Sequence, residues 1–179
     1  GHGPVFRGTP ALAVQAALAA SPAPSAPGTE RISYGAVVPL PPTEAFAFVS
    51  DPGNWHLFFD SVRSAEADAD WGDVGGHARM TNAMLGRTIE SELELTVWDP
   101  PREFRYTARQ PGRPDLDNRR VFVPLPDGTR LQGTTESQPR GGLAGLTDQM
   151  LGQALQRMYD KAMAKLPQVA TGHSGRPSQ

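Results

Sequence analysis

Cysteine is absent from the 179 residues. That absence excludes disulfide bridges, a thiolate nucleophile and any cysteine-ligated zinc. Histidine is sparse. His2, His56, His77 and His173 show no H-x-x-x-H spacing, so no metal centre is expected from them. Neither sign of charge dominates either. Seventeen Lys and Arg stand against nineteen Asp and Glu, a formal net charge of -2. The positive footprint that drives nucleic-acid affinity is missing, and nucleic acid is not an expected partner. Long apolar runs are lacking. The longest helical one, "ALAVQAALAA" at 11–20, falls short of the roughly 20 residues a membrane span needs. No integral span is expected, and the cysteine-free chain reads as cytoplasmic. There is no glycine-rich phosphate loop, no Ser-His-Asp order and no pair of carboxylates placed for hydrolysis. No cofactor and no catalytic residue is therefore assigned.

Glycine and proline are abundant, at 19 and 18. Much of that excess lies in the flanks and the turns, and it divides the chain. Residues 1–29 read as an N-terminal extension, with a short Ala-rich helix at 11–20 and an extended Pro-rich linker, "SPAPSAPG". Residues 30–167 read as one domain. Residues 168–179, "ATGHSGRPSQ" among them, have no apolar period and read as tail.

Within 30–167 the first strand is expected over 31–38, with Ile32, Tyr34, Ala36 and Val38 on one face. Pro42 suits the start of a short helix carrying Phe46 and Val49. Asp51 then caps a second short helix with Trp55, Phe58 and Phe59 on one face. Six strands follow, near 61–68, 76–84, 87–98, 103–109, 118–125 and 129–138. Their separators, "DVGG", "LGR", "DPP", "QPGRPDLD" and "PDG", are turn chemistry that makes neighbours antiparallel. In 87–98, Ile89, Ser91, Leu93, Leu95 and Val97 form a dry face, while Glu90, Glu92 and Glu94 face water. Arg105 and Arg109 are placed to pair with those glutamates. A long helix over 141–166 carries an apolar stripe that includes Met150, Leu155, Met158 and Leu166, and Pro167 is expected to end it.

A bent seven-stranded sheet wrapping this helix encloses a volume that the helix only partly fills. At that point the chain resembles the START-like, or SRPBCC helix-grip, superfamily, within its polyketide cyclase/dehydrase and lipid-transport group. The resemblance spans residues 30–167. It is carried by "DPGNWHLFFDSV", "VWDPPREFRY", "PDGTRLQGTTE" and "PRGGLAGLTDQMLGQALQRMYDKAMAKL". It implies an α+β helix-grip fold: a curved seven-stranded antiparallel sheet around a long C-terminal helix, with two short helices after strand 1. It also implies a deep, mostly apolar cavity, and it carries over no catalytic residue.

The expected function is binding or transport of a small hydrophobic ligand, a lipid, polyketide or aromatic molecule. Candidate lining residues are Trp55, Phe58, Phe59, Met80, Asn82, Ser91, Leu93, Tyr106, Val121, Thr135, Met150 and Met158. Met84 belongs with the other methionines. A few polar groups in an apolar pocket orient a ligand, and methionines adapt to its shape. Two other readings stand. One is a cofactor-independent cyclase or dehydratase using His56, Tyr106 or Asn82. The other is an interaction module with a filled core. The loop "QPGRPDLDN" is expected to flank the cavity entrance.

Overall fold

The computed structural model describes residues 30–84, 86–137 and 144–174, and for 144–151 and 174 the backbone alone. The Ala-rich segment 11–20, the linker and residues 175–179 lie outside the described residues.

The chain runs β1 (Glu30–Val38), α1 (Pro42–Ser50), a single 3-10 turn (Pro52–Asn54) and α2 (Trp55–Phe58). It continues through β2 (Val62–Ala67), β3 (His77–Met84), β4 (Arg87–Asp99), β5 (Glu103–Arg109), β6 (Leu116–Leu125) and β7 (Gly128–Ser137), and closes with α3 (Ala144–Ser174). The strands form one antiparallel sheet in the order β1-β7-β6-β5-β4-β3-β2, curled into a half-barrel. The α1–α2 segment carries the chain from one sheet edge to the other, and α3 packs against β1 and α2. No helix among the described residues is long and apolar enough to cross a membrane.

The aromatic-rich stretch after α1 has a local cause. The last carbonyls of a helix lack intrahelical partners, and α1 has no basic residue in its last turn. Side chains supply the donors. Asn54 Nδ2 donates to Phe48 O (3.0 Å), Trp55 Nε1 to Val49 O (2.8 Å) and Trp71 Nε1 to Ser50 O (2.9 Å). The Asp51 carboxylate accepts from Gly53 N at 2.8 Å, which starts the turn that brings Trp55 back under α1. Trp55, Phe58 and Phe59 are all buried.

Two irregularities change which side chains face inward. The β4–β5 register shifts between Leu95 and Val97, so Val97 lies opposite Arg105 and Trp98 opposite Phe104. Such a bulge inverts the alternation beyond it. Trp98, not the expected Val97, packs edge-on to Phe46. Arg109 meets Glu94 at 2.6 Å as expected, whereas Arg105 pairs with Glu103 on its own strand.

Pro167 does not end the long helix. The helix continues to Ser174, and residues 168–174, expected as tail, belong to it. A proline in a helix interior costs on the order of 3 kcal/mol. Burial on both sides offsets it: Leu166 and Ala170 are fully buried, Val169 packs on the core, and the His173 ring lies 5.4 Å from that of Phe48. Leu155, Tyr159, Ala162, Met163 and Leu166 form the buried stripe, at three- and four-residue spacing.

Candidate functional site

Between α3 and the inner face of the sheet lies a cavity of about 60 Å³. Met80, Met84, Ile89, Leu155 and Met158 make its apolar wall. Gln110 and Arg113 of the β5–β6 loop line it together with Leu116. Asn82, Tyr106, Asn118 and Tyr159 are its inner polar groups.

These polar groups have defined partners. Thr135 Oγ1, Asn118 Oδ1 and Tyr159 Oη form a triangle with sides of 2.8, 2.9 and 3.1 Å. Tyr159 donates to Asn118, and the Thr135 hydroxyl donates to either of the other two. The Asn118 amide donates to Leu116 O at 3.0 Å. Buried Asn82 lies beside the cavity.

Behind Tyr106 and Tyr159 sits Arg120, 2% exposed. Its Nε donates to Tyr34 Oη at 3.4 Å and its Nη2 to Tyr106 Oη at 3.1 Å. Nη1 is buried and has no acceptor among the described residues. The guanidinium carbon lies 4.9 Å from the ring centre of Trp55, 5.4 Å from Tyr106, 5.5 Å from Phe104 and 5.8 Å from Phe59. No carboxylate pairs with it among the described residues. Arginine stays charged at any accessible pH, so the core holds an uncompensated positive charge. Burying an ion without a counter-ion costs several kcal/mol, and an orphaned donor adds about 1–3 kcal/mol. Four aromatic faces, each contributing about 0.5–2 kcal/mol, offset part of this.

Burial pushes the Tyr106 phenol up to about 12, with the charge of Arg120 acting the other way. Burial also raises Tyr159 well above its ordinary value. Both phenols are therefore protonated at neutral pH. Tyr106 accepts from Arg120, and its own O–H has no acceptor among the described residues. The site thus offers a proton donor backed by a fixed cation, which suits an oxygen that carries or gains negative charge.

Of the expected site residues, Met80, Asn82, Tyr106 and Met158 come together at the cavity. Thr135 acts through Asn118 and Tyr159. Trp55 and Phe59 turn inward but wall the Arg120 guanidinium, not the cavity, and Phe58 packs between Phe48 and Phe59. Leu93 is plain core between Ala78 and Ala108. Ser91 is buried opposite Met80, its Oγ without a partner among the described residues. Val121 is a correction: it faces outward over a shallow groove with Arg119 and Gln132. The side chain of Met150 lies outside the described residues. His56 is exposed and away from the cavity.

The outward turn of Val121 and the inward turn of Arg120 have one cause. In "NRRVFVPL" either parity passes as the dry one, and the two valines favour the wrong face. The ladder settles it, because Phe104 lies opposite Arg120, Tyr106 opposite Asn118 and Leu131 opposite Phe122. Those three β6 residues must point inward.

A larger groove of about 660 Å³ crosses the outward faces of β2–β5. Its walls include exposed Glu66, Arg79, Glu90, Glu92 and Arg109, charges that face water and suit no apolar ligand.

A family model described as polyketide cyclase / dehydrase and lipid transport matches residues 29–171. Among solved structures, the protein TTHA0849 from Thermus thermophilus is 18% identical with a TM-score of 0.70, covering 82% of this chain and 100% of that one. The Zhui aromatase/cyclase from Streptomyces sp. R1128 is 15% identical, TM-score 0.69, covering 82% and 96%. One di-domain aromatase/cyclase, BexL of the BE-7585A biosynthetic pathway, is 15% identical, TM-score 0.66, covering 84% and 52%. These likenesses are of fold. No curated protein sequence matches the chain.

Proposed function

The chain belongs to the polyketide cyclase/dehydrase and lipid transport family, and from that premise we propose that it binds a small, largely apolar molecule between α3 and the sheet. The supporting observation is the cavity, where methionine and leucine face a few inner polar groups. Its 60 Å³ is small beside the roughly 300–1,000 Å³ of a ligand pocket. The expectation of a large preformed volume is corrected accordingly: aromatic rings and Arg120 fill much of that space. A ligand has to displace side chains, and Met80, Met84 and Met158, unbranched and soft, adapt at low cost. Apolar ligand surface leaving water then stabilises the complex by about 25 cal/mol per Å².

The test is titration with a neutral fluorescent apolar probe, N-phenyl-1-naphthylamine. Wild type is expected to show one saturable site. Leu116→Trp, which fills the cavity at a half-buried position, should weaken binding by about tenfold or more without lowering the melting temperature appreciably. A wild type with no saturable site makes the core a filled one and ends this reading.

A catalytic reading, cyclisation or dehydration of a bound chain, is favoured by Tyr106, which lines the cavity and accepts a hydrogen bond from Arg120. A carrier loses modest affinity when Tyr106 becomes Phe, whereas an enzyme loses turnover steeply.

A further inference from the structure

Arg120 is an expensive residue to bury, and no carboxylate among the described residues neutralises it. Among the described residues, the titratable groups facing it are the phenols of Tyr34 on β1, Tyr106 on β5 and Tyr159 on α3. Trp55, Phe59 and Phe104 close the remaining sides. A structural arginine normally directs its planar fork at a carboxylate or at backbone carbonyls. Here one arm reaches a phenol at 3.1 Å, the second contact is long at 3.4 Å, and Nη1 has no acceptor among the described residues.

Access to it runs through the cavity. Tyr106 and Tyr159 line the cavity, and Tyr106 also accepts from Nη2, so Tyr106 adjoins both cavity and cation. Aromatic walls have a further consequence. They keep water away from the guanidinium, and a charge pair formed there is far less screened than one at the surface.

We propose that the ligand of this cavity is an acid: an apolar body bearing one carboxylate, which enters towards Tyr106 and Tyr159 and is received by Arg120. The proposal rests on the binding reading above and names its ligand class. The carboxylate replaces Tyr106 as acceptor from Nη2 and supplies the acceptor that Nη1 lacks, a two-point contact that a hydroxyl cannot reproduce. The apolar body stays against Met80, Leu155 and Met158. The stored cost of an unpaired cation is thus released only by an anionic ligand, which makes charge the basis of selectivity.

The experiment is calorimetric titration of the full chain with two matched pairs, decanoate against decan-1-ol and 2-naphthoate against naphthalene-2-methanol. Wild type should bind the acid of at least one pair about tenfold or more tightly than its alcohol, and the preferred pair tells an aliphatic from an aromatic body. Arg120→Met should bring acid and alcohol to near parity, weakening the acid about tenfold or more and the alcohol far less. Arg120→Lys should restore part of the preference. A merely structural arginine would weaken both members of a pair together. Should Arg120→Met not fold, Arg120→Gln keeps donors without the charge and serves instead. Alcohols that bind as well as acids in wild type, or a preference that survives in Arg120→Met, overturn the proposal and leave the binding reading intact. No saturable binding of any of the four compounds overturns both.

Discussion

A Cβ on Gly133 would lie 2.0 Å from Cε2 of Tyr34, the residue opposite it across the β1–β7 ladder. The missing side chain lets the Tyr34 ring lie flat over the strand. There it stacks on Tyr159, centroids 4.0 Å apart and planes 5° apart, and meets Arg120 with its hydroxyl. Gly133→Ala is expected to displace that ring and cost about 1–3 kcal/mol, the usual range for overpacking. Urea denaturation checks it. In a Tyr34→Ala background the same change should cost much less, because the atom it strikes is gone, and the coupling from the double-mutant cycle isolates this contact. Equal costs in both backgrounds would place the strain elsewhere. At this scale little was legible in the sequence. Tyr34 was assignable to the dry face by alternation, but its dependence on a glycine in the last strand is a matter of register.

The closing helix is held from outside as well as by its buried stripe. Asp60, just beyond α2, receives Lys161 at 2.6 Å and also pairs with Lys165, one helical turn further on. These lysines, chiefly through the hydrogen bond from Lys161, lower its pKa from 3.8 to about 2. A carboxylate whose folded pKa is depressed contributes stability above its unfolded pKa and loses it as pH falls through the folded one. Asp60→Asn should therefore lower the melting temperature slightly at neutral pH, and wild type and variant should converge as pH falls from 3.8 to about 2. Because the pair is exposed, added salt should shrink the difference too. A gap that persists at the low end of that window would show that Asp60 acts by shape, not charge. Elements were the most legible level. Each strand fell within two residues of its expected bounds, since turn residues punctuate them and alternation marks them. The exceptions, the bulge in β4 and the inward face of β6, are places where the period is broken or reads both ways.

For the molecule as a whole, every described element lies between residues 30 and 174, and the helix beyond Pro167 is part of the packed structure. A fragment of residues 29–174 is expected to melt within about 2 °C of the full chain. One that stops at residue 167 should lose roughly 2–4 kcal/mol, because Val169 and Ala170 no longer cover the core. Circular-dichroism melts of the two fragments decide this, and equal midpoints would make residues 168–174 dispensable. The sequence of elements and the identity of the closing helix followed from local chemistry: glycine and proline at turns, period two in strands, period near 3.6 in the helix. The pairing of β1 with β7 did not. Composition set the absence of cysteine chemistry in the same way. The site did not follow from local chemistry. Arg120 looks like a surface residue in its own strand, and becomes a buried cation only when β5 and β7 fix its register and three other elements bring Trp55, Tyr159 and Tyr34 around it. Neighbouring residues in a chain can specify a turn or a period, but a charge in a ring of aromatics from distant segments exists only once the sheet has curled around its helix.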